Sequence, residues 1–253
     1  MTAPNRYFLE LAYKGTRFHG WQIQVNAISV QETLEKALSL LLKTPIAIVG
    51  SGRTDTGVHA SQQFAHFDCE QALDTVATLK KLNAILPNDI SIFDIFLTKP
   101  DAHARFSATW RSYVYKINLR KNPFEQEGSW IVFKQLDVEK MQAASDLLLA
   151  HEDFECFSKI KTDVKTFNCK IKAAFWEQKE HQLLFHITAN RFLRGMVRAI
   201  VGTLVEVGTG KLSVSQFQEI LESKDRKQAK SAAPPQGLYL CEVTYPPEIF
   251  INN

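Results

Sequence analysis

Cysteine is scarce and unpaired in this sequence. Cys69, Cys156, Cys169 and Cys241 are widely spaced, and none forms a CxxC pair. That spacing argues against a structural zinc site or a disulfide framework and predicts four reduced, partly buried thiols. Long apolar runs are also missing, so no segment approaches the ~20 residues that cross a bilayer as a helix. Met1 to Glu10 carries Arg6 and Glu10 instead of a signal-peptide core. The expectation is a cytoplasmic protein. An excess of one charge sign is absent too, with 30 Lys and Arg against 27 Asp and Glu, a net charge of +3. A polyanionic partner would therefore have to be met by local clusters, not by the overall field. Neither the Lys-Ser/Thr ending of a P-loop nor a dinucleotide-binding fingerprint occurs.

The 253 residues are 45% hydrophobic and 23% charged. This is ordinary for a folded protein with one large domain or two small ones. Basic residues gather in three places: Arg105, Arg111, Lys116, Arg120 and Lys121; then Lys159, Lys161, Lys165, Lys170 and Lys172; then Arg191, Arg194 and Arg198. Each cluster reads either as a solvated face or as a contact for a polyanion.

Strand patterns cover Arg6 to Tyr13, Ile46 to Val49, Gln62 to Asp68 and Ile90 to Leu97. Helical spacing joins Leu34, Leu38 and Leu41 behind a capping-box pair, Ser29 and Glu32. It also joins Leu73, Val76, Leu79 and Leu82. The second half repeats the alternation. Strands are expected over Ser112 to Leu119, Cys169 to Trp176, Leu183 to Ala189 and Leu238 to Tyr245. Helices are expected from Asp137 to about Ala150, over 191–207, and from the capping box of Ser213 and Gln216 to about Ser223. Residues 121–130 and 224–237 read as loops. The order β-α-β-α-β followed by β-α-β-β-α-α-β fits an α+β fold. It favours two half-domains with mostly antiparallel sheets over a doubly wound parallel sheet. The expected division is 1–105 and 106–253.

The most informative stretch is Gly50-Ser51-Gly52-Arg53-Thr54-Asp55-Thr56-Gly57-Val58-His59-Ala60. It is richer in glycine than a simple chain reversal requires. Such a loop can present one side chain from a rigid base, here Asp55 with Arg53 two positions before it. From the residues alone, Asp55 reads first as an Asx-turn residue bonding its own backbone, the usual role of an Asp in a Gly-rich loop. A phosphate cradle is disfavoured, because the carboxylate repels phosphate. Glycoside hydrolysis commonly needs a second carboxylate, and none stands beside Asp55 in the sequence.

The run GRTDTGVHA resembles the signature of the tRNA pseudouridine synthase A family. Further segments resemble the same family in order. They are Phe18-His19-Gly20-Trp21-Gln22, Leu86-Pro87 with Asp89-Ile90, and His103-Ala104-Arg105-Phe106-Ser107-Ala108. Arg111-Ser112-Tyr113-Val114-Tyr115 follows, then Phe154 with Phe157-Ser158. The last are Phe192-Leu193-Arg194-Gly195-Met196-Val197-Arg198 and Ala233-Pro234 with Gly237-Leu238.

The resemblance implies a pseudouridine synthase fold, with two RRM-like or ferredoxin-like halves forming a central cleft. It implies isomerisation of uridine in the anticodon stem-loop of tRNA, by a homodimer without metal or organic cofactor. It makes Asp55 the essential carboxylate, as nucleophile at ribose C1′ or as base at C2′; both roles stay open. It makes Arg198 the partner of that carboxylate, and Arg53 the residue that helps extrude the base. Tyr113 becomes the tyrosine stacked on uracil, and Leu238 lines the uracil pocket. Tyr115 shares the strand face of Tyr113 by periodicity, and Tyr113 is preferred because it fits the RxY spacing. A binding-only reading, in which strand tyrosines stack on RNA without chemistry, is the competing class.

Overall fold

A computed structural model describes residues 4–159 and 164–251. Lys161 of the second basic cluster lies outside the described residues. Among them the order is β1 (Asn5–Tyr13), α1 (Val30–Leu42), β2 (Val49–Gly50), β3 (His59–Cys69), α2 (Thr75–Ile85), β4 (Ile90–Thr98), β5 (Trp110–Asn118), β6 (Trp130–Ile131), α3 (Val138–Asp146), β7 (Ile171–Lys179), β8 (Gln182–Ala189), α4 (Met196–Gly208), α5 (Val214–Ser223) and β9 (Leu238–Thr244). The fold class is α+β, as the alternation implies. Two compact units share the chain: Met1–Trp110 with Leu240–Asn253, and Arg111–Tyr239. The C-terminal segment therefore belongs with the first unit, whereas the sequence reading placed 106–253 together.

In the first unit β1 is the central strand. It pairs antiparallel with β3, Leu9 opposite Ala65, and with β4, Tyr7 opposite Leu97. Phe8, Leu9 and Leu11 are fully buried. Helix α1 buries Val30, Leu34, Ala37 and Leu38, one stripe at helical spacing. Ser29 caps it by accepting from the Glu32 amide, while the Glu32 carboxylate turns to Lys36 Nζ at 2.5 Å. Asp74 caps α2 in the same manner. The returning C-terminal segment fills the edge of this core. The Tyr245 ring meets Phe8 and Phe64 edge-on, at 5.4 and 5.2 Å between centroids. Its hydroxyl donates to Ala104 O.

In the second unit β8 lies between β5 and β7, antiparallel to both. Two-residue β6 pairs parallel with β5. Asp137 caps α3, and that helix ends at Asp146 and tightens into a 3-10 turn over Leu147–Ala150. Trp176 Nε1 donates to Ser145 Oγ at 3.1 Å and ties β7 to α3. The Ser213–Gln216 capping box forms in both directions.

Two expectations need correction. Of Ile46 to Val49, only Val49 is in a strand, the two-residue β2. The helix expected over 191–207 begins at Met196, because Gly195 adopts φ 72° and breaks the helical register. Arg191 and Arg194 therefore precede the helix, and only Arg198 of that basic triplet is helical.

Candidate active site

The Asp55 loop is braced from several sides within the first unit. At its entry, Ser51 N donates to Phe64 O at 2.7 Å. The buried Gln63 side chain then grips both Ser51 and Gly52. Its Oε1 accepts from Ser51 Oγ at 2.7 Å, and its Nε2 donates to Gly52 O at 3.0 Å. One residue before Asp55, Thr54 Oγ1 bonds the Tyr13 hydroxyl at 2.8 Å in a buried setting. On the exit side, Val58 N donates to Asp55 O at 3.1 Å, closing a turn in which Gly57 takes φ 78°.

The Phe18–Trp21 segment forms the outer brace. Trp21 N donates to Thr54 O at 3.2 Å, and Gly57 N donates to Phe18 O at 3.4 Å. Gly20 sits so close that a Cβ there would stand 2.5 Å from Thr54 O. The Trp21 indole is 2% exposed and lies where a Cβ on Gly50 would fall, 2.4 Å from Cε2. Two of the motifs read separately in the sequence are thus one packed object. Asp55 is half-buried, Arg53 is exposed, and Thr54 between them is buried. A loop this constrained holds a carboxylate in one place at little entropic cost on binding.

Tyr113, Arg198 and Leu238 lie in the second unit. Tyr113 is half-buried on β5, with the Phe192 ring edge-on at 5.0 Å. Arg198, on the first turn of α4, donates from Nε to Ala233 O at 2.7 Å, and its own carbonyl accepts from Ala233 N at 2.9 Å. Gly202, one turn on, lets the Ser231 carbonyl approach to where a Cβ would be 2.0 Å away. These contacts bind the segment before β9 to the Arg198 helix. Leu238, 6% exposed, is the first residue of β9. Tyr115 differs from Tyr113: it is fully buried, and its hydroxyl donates to Pro234 O at 2.7 Å. Burial raises the pKa of that phenol well above its ordinary value. Tyr115 is thereby committed to the core and cannot stack on RNA, a use the binding-only reading gave it.

The family model of tRNA pseudouridine synthase matches residues 144–246. A relative from Bacteroides thetaiotaomicron, named tRNA pseudouridine synthase A, is 51% identical over 97% of this chain and 92% of its own. One of the same name from Bacteroides fragilis is 52% identical over 97% and 98%. Another from Latilactobacillus sakei is 40% identical over 95% and 98%. This chain belongs to the tRNA pseudouridine synthase A family.

As a member of the tRNA pseudouridine synthase A family it is an isomerase. Sequence reasoning singled out the Asp55 loop and missed the residues that brace it. Gln63 and Tyr13 sit in strands and look like ordinary strand residues. Their only advance signal is a polar side chain in an otherwise apolar strand segment. Among the described residues no helix is long and apolar enough to cross a membrane.

Proposed function

We propose that this protein converts uridine to pseudouridine in the anticodon stem-loop of tRNA, as a cytoplasmic homodimer, with Asp55 as the reacting carboxylate. The supporting observation is the GRTDTGVHA loop, braced on both sides of a half-buried Asp55.

The reaction breaks the N1–C1′ bond, turns the uracil and joins C5 to C1′. The hydrogen on C5 leaves as a proton and N1 gains one, so atoms and electrons balance without a redox partner. Asp55 serves either by attacking C1′ or by taking the C2′ proton. The target base must first leave its stack, at a cost of a few kcal/mol. Arg53, exposed two residues away on the same loop, is the cation assigned to that step. Arg198 is assigned to hold the Asp55 carboxylate ionised, since a guanidinium grips a carboxylate in a planar fork. Tyr113 is assigned to stack on the uracil, and Leu238 to line its pocket. These assignments rest on the resemblance and on the placement of each residue within its own unit.

The test uses unmodified tRNA transcript carrying tritium at uridine C5. Wild type should release tritium, and Asp55→Ala should release none while still binding tRNA. Release undiminished in Asp55→Ala would refute the assignment of Asp55. No release by folded wild type would refute the isomerisation itself.

A further inference from the structure

The stretch His103–Ser107 is not used by the reaction described above, yet it is tightly built. His103 Nδ1 accepts from two successive amides, Arg105 N at 3.1 Å and Phe106 N at 3.3 Å. Ser107 closes the turn twice, its amide donating to His103 O and its Oγ accepting from His103 N. Ala104 is fully buried and held by both its groups. Its amide donates to His66 Nδ1 at 3.1 Å, and its carbonyl accepts from Tyr245.

From this base the Phe106 ring stands out, 74% exposed. It is the outer end of a chain of ring contacts that begins in the core. Buried Phe8 stacks on His66 at 5.8 Å, His66 meets His103 at 4.7 Å, and His103 meets Phe106 at 4.4 Å. The Arg105 guanidinium carbon is 5.4 Å from the Phe106 centroid. An exposed apolar ring has an unfavourable contact with water, and the fold uses six side-chain and main-chain bonds to keep it there. The same strand stretch that carries this turn also carries the Asp55 loop. Phe64 O receives Ser51 N, and His66 receives Ala104 N.

We propose that Arg105 and Phe106 form a stacking platform for an unpaired base of the tRNA, with Arg105 on an adjacent phosphate. This rests on the reading of the protein as a tRNA-modifying enzyme. A rigid, solvent-facing ring beside a cation suits a nucleobase. The ring offers a face to any base, the cation meets the backbone charge, and little freedom is lost on contact. A protein partner would also accept an exposed Phe and Arg, but it has no need of a cation placed where a phosphate would follow a stacked base.

The experiment measures the Kd for unmodified tRNA in the full chain carrying Asp55→Ala, so that turnover does not intervene. Adding Phe106→Ala should raise Kd by on the order of tenfold, the range seen when one base loses its aromatic partner. Adding Phe106→Trp should keep Kd within about twofold of the parent. Arg105→Gln should lower the salt dependence of binding by about one phosphate contact. Sedimentation of each variant is run alongside. Unchanged affinity in Phe106→Ala, or a loss that tracks a changed oligomeric state, overturns the platform. Tritium release by the wild-type chain together with unchanged Phe106→Ala affinity overturns the platform and leaves the proposed function intact. A parent that binds no tRNA overturns both.

Discussion

Gly50, Gly52 and Gly57 look alike in the sequence, and each does something different. Gly57 takes a left-handed φ of 78°, which the turn after Asp55 requires. Gly50 keeps ordinary backbone angles but leaves room for the Trp21 indole. Gly52 has nothing within 4 Å of a would-be Cβ. The richness in glycine was legible, whereas the division of labour depends on Trp21, which is distant in the chain from Gly50. The histidines show the same limit. His66 reads as a polar residue in a strand, yet it is 5% exposed and its pKa is lowered to about 4. Burial is the main cause, with the Arg6 and His103 charges adding to it and Asp68 opposing. A folded pKa below the unfolded value near 6.5 means that the native state binds fewer protons than the unfolded chain between those values. Stability from this group is complete above about pH 6.5 and is lost as pH falls toward 4. The loss is on the order of 3 kcal/mol across that window. Urea unfolding from pH 7 to 4.5 should show the decline in wild type and a much flatter profile in His66→Asn. Equal slopes would show that His66 is not the group responsible.

At the scale of elements, caps and strand alternation were readable. Asp137, Ser213 and Ser29 each cap the helix their spacing announces. The start of α4 was not readable. Phe192, Met196, Ala199 and Thr203 continue a helical pattern through residues that are not helical, and the break lies in one φ angle at Gly195. Nothing lies within 4 Å of a Cβ built there, so substitution acts through the backbone alone. Gly195→Ala should destabilise the protein by about 1–2 kcal/mol, the cost of a left-handed conformation for an L-residue. Chemical denaturation would measure it. A loss near zero would mean that the helix start rearranges. In that case tritium release from C5-labelled tRNA should fall, because Arg198, assigned to the Asp55 carboxylate, lies three residues beyond.

For the whole molecule, two α+β halves were legible from the order of elements. The return of the chain to its first unit was not, because β9 and the residues after it look like the end of the second. The first unit depends on that return. Tyr245 and Ile249 are buried there, and Phe250 sits edge-on to Phe8 and Phe96. Ending the chain after Thr244 should remove several kcal/mol from the first unit, since a buried aromatic alone is worth about 3–5. Limited proteolysis of that truncated chain should cut within β1 to β4 while 111–239 resists. Equal resistance of both units would refute the dependence.

That dependence has a temporal side. Residues 111–239 are contiguous and complete once synthesised, but the unit that carries Asp55 waits for the residues after Tyr239. At roughly 5–20 residues per second, the ribosome needs about 10–40 s to pass from Asp55 to Tyr245. For nearly all of that interval β1 and β3 exist without Tyr245, their final packing partner. The later-made half can therefore mature first, and the unit that carries Asp55 acquires its full packing only once Tyr245 and Phe250 have been made.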